Sequence, residues 1–173
     1  MQIIIGNDEH PIEPDVSLST EIIRFQFMAG RIHNAISTYG SIPWHTRDLA
    51  LVNVVLDALC DVEEEALARN IFLESWERGF WRLRQRKVSR NRAVAHVDLH
   101  RMGCAAAGLA IDQHLKELKE QENPVKVVKL LVGKSQVQGN PTKLRLAEHV
   151  RQVLYERGIR YKEEDGSVFT FSL

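Results

Sequence analysis

Shifted by 33 residues, the first part of the chain falls in register on itself. Ile22 then lies on Val55, Ile23 on Leu56, Phe27 on Cys60, Ala35 on Ala68 and Tyr39 on Phe72. The small, aliphatic and aromatic positions keep their class; the pair Phe27 and Cys60 keeps only apolar character. Within each copy the apolar residues recur at spacings of three and four. They are Ile22, Ile23 and Phe27, then Ile32, Ala35, Ile36 and Tyr39; in the second copy, Leu51, Val55 and Leu59, then Leu67, Ala68, Ile71 and Phe72. That spacing places them on one face of an α-helix. Gly30 separates the first two runs and Gly79 ends the fourth. The pattern predicts two helical hairpins over residues 16–83. A period in the low thirties marks a two-helix solenoid, in which each hairpin buries its apolar face against a neighbour. Two copies are fewer than the roughly three that usually stand alone. Residues 1–15, with four isoleucines and two prolines, read as an extension or a partial repeat.

Past residue 93 the period changes. Val94–Asp98 alternates like a strand. Residues 103–122 are helical, with Cys104, Ala107, Gly108, Ile111, Leu115 and Leu118 on one face, and Asn123-Pro124 stops them. Val125–Val132 (VKVVKLLV) is rich in β-branched and apolar residues, which suits a buried central strand. Pro141-Thr142 opens a second helix that Gly158 ends. Ile159–Tyr161 and Val168–Leu173 read as strands joined by a turn at Asp165-Gly166. The expected fold is α+β: all-α helical-hairpin repeats, then an α/β sandwich of order β-α-β-α-β-β over residues 94–173.

Charge separates the two parts. The chain has 23 basic and 23 acidic residues, so its net charge is zero. Residues 78–92 carry Arg78, Arg82, Arg84, Arg86, Lys87, Arg90 and Arg92 and no acid, leaving 16 basic against 23 acidic elsewhere, a net of −7. A basic linker, 84–93, thus sits in an acidic chain, with Phe80 and Trp81 beside it. Local charge, not the total, governs contact with phosphates. The alternative is a solvated helix face, or a docking surface for acidic protein.

Composition excludes other classes. At 44% apolar and 27% charged residues the chain is neither disordered nor a coiled-coil rod. The longest apolar run, Met102–Ile111, is about half the 20 residues a bilayer span needs. Cys60 and Cys104 form no CxxC pair, which argues against a disulfide framework or zinc site. The first residues show no basic start before an apolar stretch, so no signal or transit peptide is expected in the chain as given.

Two resemblances add to this reading. Asn53–Cys60, NVVLDALC, resembles the first-helix pattern of the pentatricopeptide repeat (PPR) family. Ala68, Phe72 and Gly79 fall without a gap where that family places its second-helix Ala, Phe and terminal Gly, and Ala29-Gly30-Arg31-Ile32 with Ala35 and Tyr39 matches the preceding repeat. Val97-Asp98-Leu99-His100 resembles the leading motif of the Smr (small MutS-related) domain, L-D-x-H. Met102–Ala107 is similar to the helix start of plant PPR–Smr proteins, Leu130–Ser135 lies where the family carries its second motif, and Gln138-Gly139 and Leu144-Arg145 resemble the rest of that loop and the next helix. That second motif departs from the family: Val132 and Ser135 replace expected residues, while Gly133 and Lys134 remain.

The resemblance implies an RNA-binding protein of a plastid or mitochondrion, with an Smr-type endonuclease site. In the PPR family the fifth and last residues of a repeat read a base; here these are Thr20 with Asp48, which the family rule pairs with guanine, and Asn53 in the second repeat. Short polar side chains suit the edge of a splayed base, but Thr20 and Asp48 would serve equally as helix caps. Arg82, Arg84, Arg86, Lys87, Arg90 and Arg92 would hold phosphate, as would Gly133, Lys134 and Arg145 around the second loop.

Asp98 and His100, two apart at a strand end, would share a face. A carboxylate beside an imidazole orients the ring and raises its basicity, which suits activation of water or an RNA 2′-OH. The same residues would serve as a turn cap. A divalent cation such as magnesium enters only as a requirement of such a nuclease. His96 and His100 form H-x-x-x-H, but on a strand they lie about 13 Å apart, too far to share a metal. The eroded second motif and short array keep another reading open: a non-catalytic structural or assembly subunit of a ribonucleoprotein or other organelle complex, with protein partners.

Overall fold

The computed structural model describes residues 15–81, 94–120, 126–133 and 141–173. Within them the chain is α+β, with six α-helices and one four-stranded mixed sheet. The helices α1 (Val16–Met28), α2 (Ile32–Ser41), α3 (Leu49–Asp61) and α4 (Glu65–Glu77) come first. Then follow β1 (Val94–Asp98), α5 (Cys104–Glu120), β2 (Val127–Leu131), α6 (Pro141–Glu156), β3 (Tyr161–Glu164) and β4 (Val168–Ser172). The expected element order is observed. Among the described residues, no helix is long and apolar enough to cross a membrane.

By packing, the chain divides into two compact units, ending and beginning at Leu51 and Val52, inside α3. The pattern change at residue 93/94 marks a change of secondary structure, whereas the packing boundary lies one helical hairpin earlier. In the first unit α1 and α2 bury Ile23, Phe27, Ala35 and Tyr39. Asp15 caps α1, its Oδ1 accepting from the Ser17 and Leu18 amides. The Arg47 guanidinium lies 4.1 Å from the Tyr39 ring centre and 3.9 Å from that of Trp44, a cation–π clamp on the segment after α2.

In the second unit α3 and α4 bury Val55, Leu56, Leu59, Ala68, Ile71 and Phe72. Phe72 contacts Trp76 and stacks on Trp81. The 33-residue shift also governs how the hairpins turn. Gly30, after α1, has φ +69°, and residue 63, after α3, has φ +62°, but residue 63 is a glutamate. Both turns close with the same pattern, Arg31 N–H to Gln26 O and Glu64 N–H to Leu59 O. A left-handed non-glycine residue costs about 1–2 kcal/mol, while glycine adds unfolded-state freedom worth about 0.4–1 kcal/mol. Glu63→Gly is therefore expected to stabilise the fold by up to about 1 kcal/mol, read as a higher urea midpoint with unchanged slope.

The sheet order is β1-β2-β4-β3. β1 and β2 run parallel from Val94↔Val127 to Asp98↔Leu131; β4 is antiparallel to both β2 and β3. Asp165 and Gly166 both have positive φ, +52° and +62°, the tight turn an Asp-Gly pair favours. β3 starts two residues later than Ile159–Tyr161 predicts. The reason is the helix before it: the Ile159 amide donates to Leu154 O, so Ile159 belongs to the cap of α6.

One sheet face is covered. Val97, Val128, Leu130, Phe169 and Phe171 are buried there. Arg151 of α6 reaches Glu163 of β3 with two hydrogen bonds, 3.0 and 2.7 Å, which places α6 on that face. Both parallel crossovers, through α5 and through α6, advance across the sheet in one direction, and their common handedness puts both helices on one side. Ala105, Ala106, Ala107, Gly108 and Ala110 line α5, and this run of small residues lets α6 approach; a methyl group on Gly108 would meet His149 Nε2 at 3.2 Å. Arg157 bridges α6 to Asp112 of α5 with two bonds of 2.6 Å.

Candidate functional site

The sequence candidates nearest to chemistry lie where β1 ends. Asp98 is its last residue. Leu99, fully buried, continues the ladder through its amide to Leu131 O at 2.8 Å, and the Met102 amide closes a turn onto Leu99 O. His100 lies in that turn, with its side chain 45% exposed. Asp98 Oδ1 accepts the His100 backbone N–H at 3.0 Å and lies 2.5 Å from His100 Nδ1. Asp98 and His100 therefore meet through a carboxylate-closed turn, not as i and i+2 side chains of one strand. Turn capping and imidazole orientation are here the same contact. In the neutral tautomer whose Nδ1–H donates to this carboxylate, Nε2 carries the lone pair, the arrangement a general base needs.

The second loop comes to the same place. Gly133 follows β2, is buried and has φ +94°. Its α-carbon abuts the His100 ring: a Cβ there would lie 2.7 Å from Nε2 and clash with Cδ2. The two segments, 33 residues apart in sequence, thus form one site whose floor is backbone. Val132 anchors that floor through its amide to Ser167 O at 2.9 Å. Arg145 is exposed near the start of α6. Lys134 lies outside the described residues, as do Arg82, Arg84, Arg86, Lys87, Arg90 and Arg92.

The base-reading candidates are engaged within the chain. Thr20 is buried and its hydroxyl donates to Val16 O at 2.6 Å. Asp48 caps α3, accepting the Leu51 amide at 2.8 Å. Asn53 uses both ends of its amide: Nδ2 donates to Arg101 O at 2.9 Å and Oδ1 accepts the Gly103 amide at 2.9 Å. A base would have to displace these bonds.

Asn53 belongs with a residue that sequence reasoning did not assign to the site. Asp57, one helical turn along α3, accepts the Ala105 amide at 2.9 Å. It thereby caps α5 from another helix. The residue before α5 is Gly103, and a methyl group there would lie 2.5 Å from Asp57 Oδ2. Burial pushes the Asp57 carboxyl up, and the Ala105 amide partly offsets this. Asn53 and Asp57 thus pin residues 101–105, next to His100. No short-range motif signals this contact, because the partners are 48 to 50 residues apart. Asp57→Ala is expected to destabilise the fold by about 1–2 kcal/mol, the usual loss of an N-cap, measured by urea denaturation.

The cysteines are not activated nucleophiles. Burial, then the nearby Asp57, pushes the thiols of Cys60 and Cys104 up, away from the thiolate. Among the described residues, no group of three or more His, Cys, Asp or Glu is arranged to hold a metal. At the site itself, one carboxylate already bound to an imidazole does not suit a hard cation such as magnesium, which takes oxygen ligands.

No protein-family model matches the chain, and no curated protein matches it.

Proposed function

We propose that the chain binds RNA and cleaves it at the Asp98–His100 site. The observation that carries this reading is the contact of Asp98 Oδ1 with His100 Nδ1, with the ring set against Gly133. In the reaction, His100 Nε2 takes the proton of a 2′-OH. The 2′-oxygen forms a bond to the adjacent phosphorus, the bond to the 5′-oxygen breaks, and that oxygen is protonated from water. The products are a 2′,3′-cyclic phosphate and a 5′-hydroxyl. The basic segment 78–92 supplies phosphate contacts; Thr20, Asp48 and Asn53 are not required. The resemblance to PPR–Smr proteins supports a plastid or mitochondrial setting. The test is incubation with end-labelled single-stranded RNA and with DNA of the same sequence. RNA cut and DNA intact is the expected result; intact RNA, or equal cutting of both, contradicts the mechanism.

A second reading is favoured by one observation on α1. Leu18, Phe25 and Met28 are 60%, 67% and 76% exposed, and Ile22 is exposed beside them. They form a stripe along the helix, whereas the residues 33 positions after Leu18 and Ile22, Leu51 and Val55, are fully buried. Such a stripe suits an assembly subunit whose α1 packs on another protein. Sedimentation of the isolated chain as a stable monomer without RNA cleavage or RNA binding would direct attention to that partner.

A further inference from the structure

The turn that carries His100 is held at three places. The Leu99 amide ties its first arm to β2 through Leu131 O at 2.8 Å. The Met102 amide closes its mouth on Leu99 O at 3.1 Å. Leu99 and Met102 are buried, and His100 and Arg101 stand exposed between them. The second arm is held from α3. Asn53 Nδ2 donates to Arg101 O at 2.9 Å, and Asn53 Oδ1 accepts the Gly103 amide at 2.9 Å. One side-chain amide thus meets the backbone acceptor before Met102 and the backbone donor after it, across 48 and 50 residues of sequence.

A side-chain amide suits this place because it offers a donor and an acceptor together. Asp57 lies four residues further along α3, on the same face, and takes the next amide but one, that of Ala105. Asp57 acts on the start of α5, whereas Asn53 acts on the arm next to His100. The tolerance at His100 is narrow. Asp98 Oδ1 accepts its backbone N–H at 3.0 Å and contacts Nδ1, and on the other side a Cβ at position 133 would lie 2.7 Å from Nε2. An arm that drifts at Arg101 carries the imidazole away from both. A displacement of about 1 Å is enough to slow a reaction about 10²-fold.

We propose that Asn53 is a positioning residue for the His100 base. Through Arg101 O and Gly103 N–H it fixes the turn, so that the imidazole keeps Asp98 on Nδ1 and presents Nε2 to the 2′-OH. The inference rests on the RNA-cleaving reading and adds to it a residue from the second helical hairpin. It also replaces the role that the repeat resemblance implies for Asn53. A base edge that took these two hydrogen bonds would release the turn, so base reading and positioning compete for the same atoms. Asn53 therefore acts on the rate of cleavage, equally for every RNA sequence, and not on how tightly RNA is held.

The test uses the full chain. Asn53→Ala removes both bonds. Asn53→Asp keeps an acceptor for the Gly103 amide and loses only the donor, and it serves if Asn53→Ala melts below the assay temperature. Affinity and single-turnover cleavage are measured on end-labelled single-stranded RNAs of different base composition, in the wild-type and His100→Ala backgrounds. Asn53→Ala is expected to cleave all of them about 10²-fold more slowly, with affinity unchanged. In the His100→Ala background it is expected to add no further loss, because the two residues act as a unit. In parallel, carbon and nitrogen NMR of the His100 ring is recorded without RNA. The wild type is expected to show the Nδ1–H tautomer and Asn53→Ala to shift towards the mixture of a free imidazole. A changed RNA preference, with the rate on the best RNA kept, overturns the proposal in favour of base reading. Equal slowing in both backgrounds overturns it in favour of a general loss of fold. If the wild type leaves every RNA intact, the cleavage reading falls and the ring signals alone decide. Unchanged His100 signals in Asn53→Ala then overturn the positioning, and displaced signals in a cooperatively melting variant uphold it.

Discussion

His100→Ala is expected to slow RNA cleavage by about 10²–10⁴-fold, the range a positioned general base contributes. The prediction is sharp because the His100 side chain is nearly half exposed. Its removal takes away no core, so melting temperature and RNA affinity are expected to stay close to wild type. A loss of rate with binding intact isolates the proton-transfer step. Asp98→Asn separates two roles. The amide oxygen still accepts the His100 backbone N–H and keeps the turn, but the charge that supports an imidazolium is gone. Cleavage is expected to fall, by less than in His100→Ala. Single-turnover rates with end-labelled RNA decide the matter, and equal rates for wild type and His100→Ala would remove this residue from the chemistry.

Gly133→Ala is expected to damage stability and cleavage together. At φ +94° an L-residue is strained by about 1–3 kcal/mol. The new methyl group also enters the space of the His100 ring. Either the ring leaves Asp98 or the β2 end shifts, and both disturb the site. The strain alone lowers the melting temperature by several degrees, since about 1 kcal/mol corresponds to roughly 2–4 °C in a chain of this size. The clash can be separated from the strain with a double-mutant cycle. In the His100→Ala background the ring is absent, so Gly133→Ala is expected to cost less there, with a coupling of about 1 kcal/mol. Urea denaturation of the four proteins measures it. Strict additivity would mean that residue 133 and the ring do not press on one another.

Much of the fold was legible because its signals are local. The helices α1 to α4 follow from apolar spacing, and the repeat shift even carries the left-handed turn from Gly30 to Glu63. Asp165-Gly166 marks the β3–β4 hairpin because positive φ at both positions is costly for most other residues. The segment Val97–His100 was legible as a candidate, but its geometry was not. A strand rule put Asp98 and His100 on one face, while the turn bond from His100 N–H to Asp98 sets the real contact. The role of Gly133 as a floor under the ring needs a partner 33 residues away, which no window of sequence contains. Asn53 and Asp57 were hidden more deeply. Their neighbours in sequence made them look like part of a repeat, whereas their hydrogen bonds go to the start of α5. Packing begins the second compact unit at Val52, inside α3.

That shared helix constrains how such a chain could have been assembled by gene rearrangement. Residues 52–61 of α3 stand with the sheet, and their Asp57 supplies the cap that Gly103 has no side chain to provide. An exon or graft beginning at residue 94 would inherit α5 without its cap and would carry a glycine at the position where an isolated helix wants serine or aspartate. The second hairpin has thus become a fixed attachment of the α/β layer and no longer behaves as an interchangeable bead. A transplanted α/β layer would have to bring α3 with it or carry a capping residue at position 103.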